Sequence, residues 1–213
     1  MAKVIGIMGE SGAGKTTSMR NLDPTTTFYI DCDKKGLSWK GWREQYNNEN
    51  KNYLKTDDAE LVLTCLKRID KEQGHIKTVV IDTLNGIMVA EEMKRMKQKN
   101  YDKWQDMAQS IFFLVDYALI MREDVAVILV VHSLREIDED GYVYTRIKTS
   151  GKKLRKIELE SKMTTVLHAV AKNGQYLFET KANNSTAKTP MGAFAEDEVE
   201  NDIVKVLEVL KEF

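Results

Sequence analysis

An α/β fold, with a mainly parallel central sheet flanked by helices and a C-terminal antiparallel hairpin, is predicted by three features of the sequence. Short apolar runs rich in β-branched residues recur near 3–8, 27–31, 77–82 and 125–131, each separated from the next by enough chain for a helix. The first run opens directly into a glycine-rich loop, Gly9 to Thr16. Late in the chain, Asn173-Gly174 stands between two apolar segments, which signals a two-residue hairpin.

The elements follow in order. Val4-Ile5-Gly6-Ile7-Met8 is a buried strand, and Gly9-Glu10-Ser11-Gly12-Ala13-Gly14-Lys15-Thr16 fits G-x-x-x-x-G-K-[ST], with Thr16-Thr17-Ser18-Met19-Arg20 opening a helix. Glycines let the backbone wrap phosphate oxygens, so the amides from Gly9 to Thr17 and the positive helix end face an anion. Lys15 adds a charge that reaches the β and γ phosphates of ATP, and the Thr16 hydroxyl stands where Mg2+ would bridge them. The run Phe28 to Asp33 ends in two carboxylates, with Asp31 and Asp33 on one side and Cys32 on the other. Asp33, further past the strand end, is the candidate to activate a water, with Asp31 in support; the alternative is a solvated turn before Gly36.

Asp58-Ala59-Glu60 opens a helix whose buried face is read as Leu61, Leu63, Cys65, Leu66 and Ile69, closing near Gly74. Thr78 to Thr83 is a buried strand ending in Asp82, which either holds Mg2+ through water or caps the helix starting near Leu84. Asn85 to Gln98 and Trp104 to Met121 are two helices, separated by Asn100-Tyr101-Asp102. The run Val125 to Val131 delivers His132 to the sheet's C-terminal edge, where an open α/β sheet binds its ligand. There His132 touches the γ-phosphate or its attacking water, with Ser133 sharing the role, or it is a structural histidine. Asp138 to Gly141 is turn chemistry, Tyr142-Val143-Tyr144 a mobile hairpin or loop, and 152–161 a helical turn or two. The segments 164–172 and 176–180 flank the Asn-Gly turn, and Asp197 to Phe213 reads as a terminal helix burying Val199, Ile203, Val206, Leu207 and Leu210.

A chain of 213 residues with 42% hydrophobic content supports one core, so 1–213 is expected to be a single domain. Cys32 and Cys65 are too few for a disulfide framework and show no ligand spacing with histidine, which points to a reducing cytoplasm. No charged-then-apolar leader and no bilayer-length apolar run is present, so no membrane role is expected. A net charge of −1 argues against a uniformly basic surface. Two segments are locally basic: Lys94 to Lys103, beside Tyr101 and Trp104, and Arg146 to Lys156. They read as solvated faces or as tracks for phosphates, with Tyr101, Trp104, Tyr142 or Tyr144 stacking unpaired bases.

With these residues in place the chain resembles the RecA-type recombinase core, and more closely the short phage-encoded RecA-like ATPases that include single-strand annealing proteins. The resemblance rests on Gly9 to Thr17, Tyr29 to Asp33, Val79 to Thr83, Val130 to Ser133, Thr149 to Leu154 and Asn183 to Phe194. It implies a RecA-like P-loop NTPase in which Asp33 takes the place of a catalytic glutamate, one methylene shorter, and His132-Ser133 that of a polar sensor. It also implies two DNA-binding loops, around Lys94 to Trp104 and Leu134 to Ser150, and a ring or filament of identical subunits. In such an assembly a basic residue, Lys181 or Lys188, completes the neighbour's ATP site. The function so implied is a Mg2+-dependent, DNA-stimulated ATP hydrolase that binds single-stranded DNA and promotes annealing and homologous recombination. It would work in a phage-infected host's cytoplasm, with a single-strand-binding protein or replication partner. The alternatives are a nucleotide-switched module like a helicase loader, or a P-loop small-molecule kinase.

Overall fold

The computed structural model describes residues 2–96, 102–137, 140–150 and 158–213. Its organising element is β1 (Lys3–Gly9), which lies between β5 (Ala126–Ile137) and β7 (Thr165–Lys172) and runs parallel to both. Beyond β5 follow β4 (Thr78–Asp82), β2 (Thr27–Asp31) and the short edge strand β3 (Tyr53–Lys55), all parallel. Beyond β7 the sheet turns antiparallel through β8 (Gln175–Glu179) and β9 (Glu198–Glu200). With β6 (Val143–Ile147) paired to the far half of β5, the sheet has nine strands among the described residues.

The parallel strands read as unbroken apolar runs because both of their faces are covered. On one face Val4, Met8, Ile30, Ile81 and Leu129 pack beneath α2 (Ala59–Glu72), α3 (Leu84–Lys94) and α4 (Asp102–Ile120). On the other, Ile5, Ile7, Tyr29, Val80 and Val130 meet Met19, Tyr46 and the helix α5 (Ile203–Val209). A one-turn helix α1 (Trp42–Gln45) holds Trp42 against Tyr53, and Tyr29, Trp39 and Tyr46 pack edge to face. Asn173 and Gly174, with φ of 53° and 77°, make the left-handed turn the sequence predicts between β7 and β8.

Several local readings are corrected. The helix after the glycine-rich loop is a single 3-10 turn, Thr17–Met19, because Asp23 folds its carboxylate onto the Thr25 amide and Pro24 cannot continue a helix. In α2, capped by Asp58, the buried stripe is Ala59, Val62, Leu66 and Ile69; Leu61 is exposed and Leu63 and Cys65 only partly buried. β5 runs six residues past Val131, to Ile137, and its outer half pairs with β6 as a defined ribbon, where a loop was the other expectation. The terminal helix begins at Ile203: Glu198-Val199-Glu200 alternates with period two and forms β9, and Asp202 caps the helix through the Val204 amide. The expected separator Asn100-Tyr101 and most of the turn at 152–161 lie outside the described residues; a 3-10 turn, Leu159–Lys162, follows. No described helix is long and apolar enough to cross a membrane.

Arg122 ties the end of α4 to the end of α2 and the turn that follows it. From the loop after α4 its guanidinium donates to the carbonyls of Ile69, Asp70, Gln73 and Ile76, satisfying the C-terminal end of α2 and the turn leading to β4. Replacing it strands those carbonyls. Arg122→Ala is expected to lower stability by about 2–3 kcal/mol in urea titration, with the midpoint shifted and the slope unchanged.

Candidate nucleotide site

Parallel register gathers the predicted residues at one edge: Gly9 stands opposite His132, and Asp31 opposite Asp82. Between them opens a pocket of about 240 Å³ lined by the loop residues Ser11, Gly12 and Gly14 to Thr17, and by Lys35, Ser38, Asp82, Thr83, His132 and Tyr176. Lys15, Thr16, Asp82 and His132 thus share one cavity. Asp33 borders it through Lys35 and Thr83.

The Lys15 side chain is only 6% exposed and folds back on its own loop, donating to the carbonyls of Gly9 at 2.9 Å and Glu10 at 2.7 Å. Burial lowers its pKa to about 8, against the pull of Asp82 and with the push of Lys35. Asp82 is the opposite case. One oxygen, Oδ2, accepts from the Tyr29 hydroxyl at 2.6 Å and the Thr16 hydroxyl at 2.7 Å, while Oδ1 is buried without a partner. Burial pushes this carboxyl above the usual range, although both hydroxyls and the charge of Lys35 favour ionisation. Capping falls to its neighbour, since the Thr83 hydroxyl accepts from the Gly86 amide at 3.2 Å. That leaves Asp82 free of the cap role.

An orphaned carboxylate oxygen beside a hydroxyl is a donor set for a hard divalent cation. Among the described residues no three His, Cys, Asp or Glu side chains cluster, so an ion held by Asp82 and Thr16 would draw its other ligands from water and phosphate.

The two carboxylates of the second strand separate. Asp31 accepts from the Tyr53 hydroxyl at 2.7 Å and the Gly36 amide at 2.8 Å, which fixes the turn after β2 and leaves it a supporting role. Asp33 accepts from the Thr83 hydroxyl at 2.8 Å and forms an ion pair with Lys35 at 2.6 Å. Partial burial raises its pKa, but those hydrogen bonds and the charge of Lys35 outweigh that, and it sits below its ordinary value. Asp33 is held close because residue 86 is glycine: a Cβ there would come within 2.8 Å of Asp33 Oδ1 and 2.6 Å of the Cys32 carbonyl. Burial and the charge of Lys15 hold the His132 pKa below its ordinary value. Its backbone amide donates to Asn85 Oδ1 at 2.7 Å, and Asn85 in turn donates to the Lys148 carbonyl at 2.9 Å, joining α3, β5 and the end of β6.

Sequence reasoning missed Tyr29, Lys35, Thr83 and Tyr176. A lysine two positions after Asp33 was the one visible signal. Lys181 pairs with Asp197 at 2.7 Å, and Lys188 bridges to Val166 through its backbone, flanking a second cavity near the start of β1; neither lines the phosphate pocket of its own chain.

A glycine-rich loop leaving the central strand of a parallel sheet, with a lysine inside it and a buried aspartate on a nearby strand, defines a P-loop NTPase domain. A family model described as AAA domain matches residues 1–191, and the chain belongs to that family. A search of curated proteins returns no match.

Two outcomes follow. Phosphate gives Lys15 a charged partner and returns its pKa toward 10.5, so ATP binding should take up protons above pH about 8. Calorimetry at pH 8.5 in buffers of different ionisation enthalpy should detect that uptake in the native chain but not in Lys15→Met. Without ligand the sign is set by the same depression: the contribution of Lys15 to stability is present above 10.5 and lost as pH falls through about 8. Gly86→Ala should displace the Asp33 carboxylate and lower kcat by roughly tenfold or more while KM for ATP changes little.

Proposed function

We propose that the chain is a Mg2+-dependent ATP hydrolase whose turnover is coupled to single-stranded DNA and serves annealing and recombination. The observation that carries the hydrolase reading is the set Lys15, Thr16 and Asp82: a buried ammonium, a hydroxyl and a half-satisfied carboxylate facing one pocket. Lys15 leaves the Gly9 and Glu10 carbonyls for the β and γ phosphates, and the loop from Gly9 to Thr17 wraps the chain of phosphates. Thr16 and Asp82 would hold Mg2+, which supplies neutralising charge on those phosphates when bound. Asp33 takes a proton from water as the water oxygen bonds the γ-phosphorus and the bond to ADP breaks. His132, neutral, offers a hydrogen bond to the γ-phosphate or the attacking water, and Lys35 adds positive charge beside it.

DNA contact rests on the β5–β6 ribbon. It starts one residue after His132 and exposes Ile137, Tyr142 and Val143 at its tip. Three cations of the basic segments have structural work instead. Lys94 and Arg95 pair with Glu91, and Lys94 also with Asp58 at 2.8 Å; Arg146 lies between Glu136 at 3.6 Å and Glu160 at 3.8 Å. Lys97, Lys99 and Tyr101, with Lys152 to Lys156, lie outside the described residues, as do the side chains of Lys103 and Trp104. The same reading includes a homo-oligomer in which Lys181 or Lys188 reaches the neighbour's phosphates.

A second reading, a switch that binds ATP and turns over little, is favoured by one feature: both oxygens of Asp33 are engaged, by Thr83 and Lys35. Phosphate release measured with and without single-stranded DNA, at two salt concentrations, separates them. Hydrolysis that rises with DNA, falls in stimulation at higher salt and vanishes in Lys15→Ala supports the first. Tight Mg-ATP binding with near-zero turnover under every condition supports the switch.

A further inference from the structure

A third cavity opens beside the phosphate pocket and shares Thr17 and Tyr176 with it. Its volume, about 630 Å³, falls in the range of small-molecule sites. Arg20, Leu177, Glu198 and Asn201 also line it. With the β and γ phosphates at Lys15 and Thr16, the far end of a triphosphate would pass Thr17, so the group it carries would leave the loop at the wall the two cavities share.

Two side chains on that wall, Asn201 and Tyr176, are placed to meet such a group. Asn201 is 3% exposed, and neither its Oδ1 nor its Nδ2 has a hydrogen-bond partner. Leaving both ends of a buried amide without protein partners is costly, and a ligand reaching it would satisfy both. The Tyr176 ring, half exposed, rests on Gly14: a Cβ on Gly14 would lie 2.9 Å from the ring and 3.2 Å from Asn201 Oδ1. Ring and amide thus flank the same loop residue, which has φ of 84° and no side chain to keep them off.

We propose that this cavity is the nucleobase subsite, with Tyr176 as the stacking face and the Asn201 amide as the group that selects adenine. This deepens the ATP hydrolase reading and rests on it. The amide sets one donor beside one acceptor, the complement of adenine's 6-amino group and N7, whereas the same edge of guanine presents two acceptors. Tyr176 turns off Gly14 onto the base, and that motion opens the amide to it. Arg20 stays where it is, tied to the Asn201 carbonyl at 2.7 Å and facing Glu200 at 3.6 Å, and closes the far side of the cavity.

The experiment compares binding of Mg-ATP, Mg-GTP and inorganic tripolyphosphate to the native chain, Tyr176→Ala and Asn201→Ala. Tyr176→Ala is expected to weaken both nucleotides by roughly tenfold or more, the size of a base–aromatic stack, and to leave tripolyphosphate binding unchanged. Asn201→Ala is expected to abolish a preference for ATP over GTP. Tripolyphosphate reports that each variant is folded with an intact loop, and Tyr176→Ala, at a half-exposed position, carries the test alone if Asn201→Ala does not fold. Variants that bind tripolyphosphate normally and both nucleotides like the native chain overturn the subsite and leave the phosphate site standing. A native chain that binds neither nucleotide nor tripolyphosphate overturns the phosphate site and the subsite together.

Discussion

The Asp82 carboxylate is the constraint around which the site is built. It is buried, and its Oδ2 is held by one hydroxyl from β2 and one from the glycine-rich loop. Through it the loop is fastened to two strands it does not otherwise touch by hydrogen bonds. Its second oxygen has no partner, and Lys15, lining the same pocket, has only carbonyls. Burial drives the two pKa values toward each other, the acid up and the ammonium down, so it disfavours both charges. A divalent cation with a polyanion relieves both at once. Such a pair, if bound, would be favoured together over either alone.

Register decides which residues share that edge. Gly9 opposite His132 and Asp31 opposite Asp82 follow from strands that all point one way, and a slip by one residue would turn each side chain to the other face of the sheet. Asp31 and Asp33 show how finely this sorts neighbours. The first is consumed by Tyr53 and the turn at Gly36, and the second, two residues on, is brought to Thr83 and Lys35 at the pocket.

Much of this was legible because parallel strands and a glycine-rich loop announce themselves locally. Buried runs, Asp82 at a strand end and the Asn173-Gly174 turn need only a few adjacent residues to be read. What escaped depended on partners far along the chain. Tyr29 looked like core until its hydroxyl met an aspartate on another strand, and Asn201 looked like part of a terminal helix because Val199 fits a helical stripe as well as a strand. The outer half of β5 carries Arg135 and Glu136 after an apolar run, so its extension is set by pairing with β6 and not by its own pattern.

The antiparallel finish of the sheet has a consequence for the site that the parallel half alone could not produce. β7 runs with β1 and so ends at the phosphate edge, and a two-residue turn there returns the chain at once. The first residues of β8, Gln175 and Tyr176, therefore start beside the loop, where a longer connection would have carried them away. β9 runs against β8, with Leu177 opposite Glu200, so its end also arrives at that edge and delivers Asn201 there. Asp202 then caps α5, whose Ile203 and Val206 pack into the core and fix the position of the residue before it. Two strand reversals and one helix cap thus put an aromatic ring and an unsatisfied amide against Gly14, from parts of the chain more than 160 residues beyond it.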